Sequence, residues 1–163
     1  MPRGIMTVEQ ILTALAEGPP RITEYTAGLT STQLHAAPVP GEWSANEVLA
    51  HLRSCADVWG DCIATIIDQD KPTIRAVNPR TWITRTDYPE QQFGSSLQSF
   101  TSQRTALLAV LEALSTKAWS RAATVTGAGK TLQRTLHSYA EWIAEHESPH
   151  VKQIQRIAST MRS

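Results

Sequence analysis

The chain has 163 residues, 41% hydrophobic and 18% charged, which fits one ordinary domain with enough apolar content to bury a core. Its 15 Lys and Arg balance 15 Asp and Glu, and the lack of a basic surplus or cluster argues against a nucleic-acid partner, which would need cations to displace phosphate counterions. No stretch is apolar enough to cross a bilayer, and Met1 to Met6 holds no long apolar run, so neither a membrane span nor a signal peptide is expected.

Thr7 opens the first expected helix, with Gln10 at the capping-box position and Val8, Ile11, Leu12 and Leu15 as its apolar stripe. Gly18-Pro19-Pro20 is expected to break or kink it, because proline cannot donate to the helical ladder. Ile22, Tyr25 and Leu29 continue an apolar face, Pro38-Val39-Pro40-Gly41 reads as a turn, and His35 is also read as lying in a turn.

The second helix is the best signposted. Ser44 is a natural N-cap, Glu47 completes a capping box, and Trp43 and Val48 flank the cap as a hydrophobic staple. The helix should run to about Gln69, with an inward stripe of Val48, His51, Cys55, Val58, Cys62 and Ile66. Cys55 and Cys62 would stand about 10 Å apart along it, beyond disulfide reach, which favours a reduced, cytoplasmic setting. Asp70 to Tyr88, with Pro72 and Pro79, reads as a long loop of the kind that carries function or moves.

Pro89 suits the first turn of a third helix, along which Phe93, Leu97, Phe100, Leu107, Leu108, Leu111 and Leu114 recur. Thr126-Gly127-Ala128-Gly129 is a turn, and the last helix is expected from near Thr131. Its inward stripe is Leu132, Leu136, Tyr139, Ile143, His146, His150, Ile154 and Ile157. Four amphipathic segments and no convincing strand pattern predict an all-α fold, a helical bundle in one domain over residues 1–163.

Two stripes carry histidine where aliphatic residues belong. His146 and His150, four apart, leave one helical face a turn apart, and His51 interrupts the stripe of the second helix. Buried imidazoles need partners, and one shared divalent ion would satisfy all three while leaving coordination positions open for water or substrate. Imidazole suits Zn²⁺, Ni²⁺, Fe²⁺ and Mn²⁺, with zinc and nickel favoured. Cys55, one turn after His51, is read as a small buried thiol rather than a fourth ligand. His35 and His137 are read as non-ligands, the latter about half a revolution from His146.

His146-Glu147-Ser148-Pro149-His150 also spells the zinc-protease pattern H-E-x-x-H, but Gln153 and Arg156 stand where the extended motif needs Gly and His. Glu147 is therefore expected to point to solvent. Gly127-Ala128-Gly129-Lys130-Thr131 is half a phosphate loop, but Thr124 replaces its first glycine and no strand is expected before it. The five tryptophans, Trp43, Trp59, Trp82, Trp119 and Trp142, read as core or interface anchors, with Trp82 placed to cover the mouth of the site.

Trp43 to Leu52, His146 to Ile154 and Gly129-Lys130-Thr131-Leu132, in this order, resemble the DinB-like (DinB/YfiT) superfamily of metalloenzymes, a likeness spanning about Thr7 to Ile157. The resemblance implies an antiparallel four-helix bundle with a long crossover connection, a frequent homodimer, and a metal on the matching histidines His51, His146 and His150. It also implies a function: characterised relatives include S-transferases that use the low-molecular-weight thiols bacillithiol or mycothiol, and a mycothiol-dependent maleylpyruvate isomerase. A metal-dependent thiol S-transferase acting on a small electrophile is the leading expectation, with the metal holding the thiol as thiolate, its nucleophilic form. A non-enzymatic dimeric metal- or ligand-binding bundle and a metal-activated hydrolase are the alternatives. Pro149 departs from the pattern. Inside a helix it costs about 3 kcal/mol unless the helix distorts, and a distortion would swing His150 relative to His146.

Overall fold

The computed structural model describes residues 5–163, so the part of the N-terminal reading that falls on residues 1–4 lies outside the described residues. Four long helices dominate: α1 (Val8–Thr26), α3 (Ala45–Asp68), α5 (Phe93–Glu112) and α6 (Leu136–Arg162). A short α2 (Ser31–His35) links the first two. The signposted starts form as read: Thr7 with Gln10 and Ser44 with Glu47 each make a reciprocal capping box that satisfies two otherwise orphaned N–H groups. His35 is the last residue of α2 rather than part of the turn, and its Nε2 accepts the Phe93 N–H at 3.1 Å where α5 begins.

The expected break at Gly18-Pro19-Pro20 does not occur, and α1 runs straight through. Pro19 cannot donate to the carbonyl of Leu15, four residues back. Buried Arg104 of α5 does so instead, its Nη1 lying 2.8 Å from Leu15 O. The same guanidinium makes a bidentate pair with Glu147 of α6, at 2.8 and 2.6 Å. Glu147 is therefore buried, 4% exposed, and not turned to solvent as its sequence position suggested. Gly18 makes this possible: a Cβ there would lie 2.3 Å from Glu147 Oε2.

The expectation of an all-α chain is also corrected. A three-stranded sheet in the order β1-β2-β3 joins β1 (Thr73–Arg75), β2 (Ala122–Thr126) and β3 (Leu132–Thr135). Strand β1 pairs parallel with β2, and β2 pairs antiparallel with β3, Val125 opposite Leu132. The hairpin loop uses Gly127 and Gly129 at φ +85° and +84°, which few L side chains adopt. Strand β2 alternates, with Ala123 and Val125 buried on the helices. Helix α6 consequently starts at Leu136, capped by Thr135, and not near Thr131. Leu132, assigned to the inward stripe of the last helix, lies on β3 and is partly exposed.

The stretch read as a loop from Asp70 to Tyr88 holds β1, a short α4 (Pro79–Trp82) and two 3₁₀ turns, Ile83–Arg85 and Tyr88–Glu90. Pro89 belongs to the second of these, so α5 starts four residues later than its proline suggested. Polar side chains of α3 hold this stretch in place. Asp57 accepts from Tyr88 Oη at 2.5 Å, Trp82 Nε1 at 3.2 Å and Gln103 Nε2 at 2.6 Å. Ser54 donates to Pro79 O at 2.6 Å, and Arg53 lies 3.7 Å over the Tyr88 ring.

Two apolar clusters form the core. One gathers Ile11, Leu15, Val58, Ile63, Leu111 and Ile143 with the sheet, and the other Ile22, Leu49, Phe93, Phe100, Val151 and Ile154. Along α3 and α6 the boundary between them falls at His51 and His146, and along α1, α5 and α6 at Gly18, Arg104 and Glu147. The interior thus has a polar waist with two sides.

Candidate metal centre

Helix α3 carries His51 into the waist and places Cys55 one turn further on; α6 brings His146 and His150. The three imidazoles converge as their stripes predicted. Ring centroids lie 5.1 Å apart for His51 and His146, 4.9 Å for His51 and His150, and 4.7 Å for His146 and His150. His51 Nε2 and His146 Nε2 face each other at 3.3 Å. Pro149 stands inside α6, which continues to Arg162, and the two α6 rings stay adjacent.

Cys55 is closer to this group than the sequence reading allowed. Its Sγ lies 3.7 Å from His51 Nε2, and ligand atoms of His51, Cys55 and His146 all fall within 4.8 Å of one another, a group able to hold a metal ion. Both cysteines are free thiols, as their spacing required. Distance ranks Cys55 beside the histidines, and only in the metal-free protein does protonation separate them. Burial, then the neighbouring His150 and His146, then the Arg80 cation push the His51 pKa down from 6.5 to about 4. Burial, His150 and Arg80 likewise lower His146 to about 4. Both rings are therefore neutral at pH 7, the form that offers a lone pair to a metal. Burial pushes the Cys55 thiol the other way, up to about 12, so its sulfur keeps its proton. In the metal-free protein at neutral pH, His51 and His146 thus offer lone pairs while Cys55 holds a proton that a coordinated ion would displace.

The neighbours set ring orientation. His150 Nδ1 lies 2.9 Å from Gln153 Oε1, so an Nδ1–H can donate to this oxygen and leave Nε2 to face the cluster. Trp43 packs at 5.3 Å from the His51 ring, and Trp59 meets His146 edge-on at 5.1 Å. His137 instead packs 6.0 Å from Trp119, away from the cluster, as expected of a non-ligand.

The waist opens on one side into a cavity of about 210 Å³ lined by Trp43, Glu47, His51, Arg80, Ile83 and Pro89. Such a volume admits a small molecule, being below the usual range of drug-sized pockets. Trp82, expected at the mouth, lies elsewhere: it hydrogen-bonds Asp57 and lines a separate cleft with Gly60 and Gln103. Arg80, Ile83 and Pro89 occupy the rim instead, and sequence reasoning missed all three because the stretch carrying them has no periodicity. It also missed Arg104 and Glu147. Their signal was present: Arg104 interrupts the Phe93, Phe100, Leu111 stripe, and Glu147 a second stripe of Ala140, Ala144 and Val151. The acidic residue of the H-E-x-x-H spelling is thus committed to Arg104 through both oxygens and cannot act as a general base on the histidine side.

Comparison with known proteins agrees with this picture. The family model of the DinB superfamily matches residues 14–154. A similar solved structure is that of YfiT from Bacillus subtilis, described as a probable metal-dependent hydrolase with an unusual four-helix bundle topology. It superposes with a TM-score of 0.80 over 99% of this chain and 93% of YfiT, at 19% sequence identity. No curated protein matches the chain. Among the described residues, no helix is long and apolar enough to cross a membrane.

Proposed function

The chain belongs to the DinB superfamily, and on that premise we propose that it is a metal-dependent enzyme holding one divalent cation, zinc or nickel, on His51, His146 and His150. The observation that carries this reading is the convergence of three imidazoles, two of them with Nε2 atoms 3.3 Å apart and both depressed to the neutral, ligating form. When bound, such an ion supplies Lewis acidity, lowering the pKa of a coordinated thiol or water.

The protein's own contribution follows from the surroundings. Gln153 fixes the His150 tautomer, Trp43 and Trp59 shield the rings from water, and the small cavity beside His51 limits the substrate to a small molecule. We read the reaction as thiol S-transfer to a small electrophile, the cavity admitting a low-molecular-weight thiol. Hydrolysis is the second reading, favoured by the likeness to YfiT. The four long helices, with contacts of α1 and α3 to both α5 and α6, support an antiparallel four-helix bundle whose segment from Gln69 to Gln92 is the long crossover. A homodimer belongs to the same reading, and sedimentation tests it.

Elemental analysis of purified wild-type protein beside His51→Ala tests the centre. Near-stoichiometric metal in the wild type and at least a hundredfold weaker binding in the variant is expected, more than the roughly 10–100-fold that loss of an outer-shell partner costs. Equally little metal in both overturns it. Incubation with a panel of small thiols and a haloarene then separates the reactions. Metal-dependent thiol consumption supports transfer; ester or amide cleavage without thiol consumption supports hydrolysis; neither leaves a binding protein.

A further inference from the structure

The rim of the cavity holds a cation that is paired to no carboxylate among the described residues. Arg80 makes no side-chain hydrogen bond or ion pair among the described residues; its guanidinium lies 5.5 Å over the Trp43 ring. Its backbone is fixed nonetheless, because Arg80 N donates to Asn78 Oδ1 at 2.9 Å and Pro79 O accepts from Ser54 at 2.6 Å. The other charged residue of the cavity, Glu47, is committed to the cap of α3, where Oε1 accepts the Ser44 N–H at 3.1 Å.

We infer that Arg80, over the face of Trp43, is an anion-recognition residue, and that the small molecule entering beside His51 carries a carboxylate which this guanidinium binds. The inference rests on the proposed function and names the substrate class of the same site. The chemistry follows from placement. A guanidinium offers a planar fork that a carboxylate matches with two hydrogen bonds, and Trp43 limits where that fork can turn. The cavity places His51 on one wall and Arg80 on another, so a short molecule with a carboxylate at one end would present its other end to the histidines. Arg80 and Glu47 are the charged residues of the lining, and with Glu47 held at the cap of α3 the guanidinium is the group a ligand carboxylate can pair with.

The test uses metal-free protein, so that it does not depend on the metal reading. Succinate and its uncharged diamide are titrated into ¹⁵N-labelled wild type, Arg80→Ala and Arg80→Lys, following the Arg80 Nε–H and Trp43 indole N–H signals. Succinate is expected to shift both in the wild type, to bind about tenfold more weakly to Arg80→Ala, the loss of one charge-assisted contact, and to bind Arg80→Lys with intermediate affinity. The diamide is expected not to bind. Absence of succinate binding in the wild type, equal binding by the diamide, or unchanged affinity in Arg80→Ala overturns the inference. A parallel cobalt titration of wild type and His51→Ala, read from visible absorption, judges the metal centre separately. A protein that binds succinate through Arg80 but no cobalt keeps this inference and loses that reading.

Discussion

Helix α6 presents two polar groups to the interior within two residues of each other, and they are opposites. On one side Glu147 meets Arg104, which also caps the Leu15 carbonyl that Pro19 leaves without its helical donor. Both carboxylate oxygens of Glu147 are bonded to Arg104, and Gly18 leaves no room for a Cβ beside them. On the other side His51, His146 and His150 crowd together with nitrogen atoms facing one another and a cavity beside them. A buried charge paired through both oxygens is structural, whereas the nitrogens of buried His51 and half-buried His146 face each other where an ion could sit. The contrast suits a structural role for one side of the waist and, on the proposed reading, metal binding for the other.

The largest expected effect breaks the structural side. Arg104→Met leaves the Glu147 charge buried and the Leu15 carbonyl without its donor, and should cost about 3–5 kcal/mol, as removal of one partner of a buried pair does. Denaturant unfolding measures it; a loss under 1 kcal/mol would show that Glu147 simply relaxes to solvent. Gly18→Ala probes the same side by volume. Its Cβ would meet Glu147 Oε2 at 2.3 Å, and the carboxylate cannot step aside without losing Arg104. A loss of about 1–3 kcal/mol is expected, in the range of overpacked cores. A variant as stable as wild type would mean that α1 shifts freely there.

The functional side should answer to pH instead. His51 and His146 are depressed to about 4 in the fold and return to 6.5 in the unfolded chain. Between those values the unfolded chain binds more protons, so stability of the metal-free protein rises with pH through this window and is lost as pH falls from about 6.5 towards 4. Replacing both histidines with glutamine should flatten the curve of denaturation midpoint against pH between 6.5 and 4, and an unchanged curve would place the titration elsewhere. Gln153→Ala is the mildest change. It frees the His150 ring to take either tautomer and should weaken metal binding about tenfold with little loss of stability, the usual size for an outer partner of a ligand. Calorimetric titration with zinc reads it, and an unaltered affinity would remove Gln153 from the centre.

Much of the helical scaffold was readable locally. The two capping boxes followed from side chains within a turn of the backbone groups they satisfy, and α3 ends at Asp68, just past Ile66, the last residue of its stripe. The histidines were readable for a related reason: a polar residue on an apolar stripe is visible in one dimension, so His51, His146 and His150 stood out before any contact was known. The strands did not. Strands of three to five residues have little pattern of their own, and β1 exists because Thr73–Arg75 finds β2 about 50 residues later. Trp82 was misplaced for the same reason, since its indole goes to Asp57 on α3 and nothing adjacent in sequence says so.

Sequence by itself therefore determined where α1 and α3 begin, most of the faces the long helices bury and which three imidazoles interrupt those faces, because caps and stripes act over one or two turns. Tertiary structure decided what those interruptions mean. It let α1 pass through two prolines by sending Arg104 from 89 residues away to a freed carbonyl, and it took the glutamate of H-E-x-x-H out of any catalytic role by pairing it with that arginine. It also set Arg80 on the rim of the histidine cavity. Each of these depends on a partner supplied from another element, and the free energy of a buried polar group is fixed by that partner rather than by its neighbours in the chain.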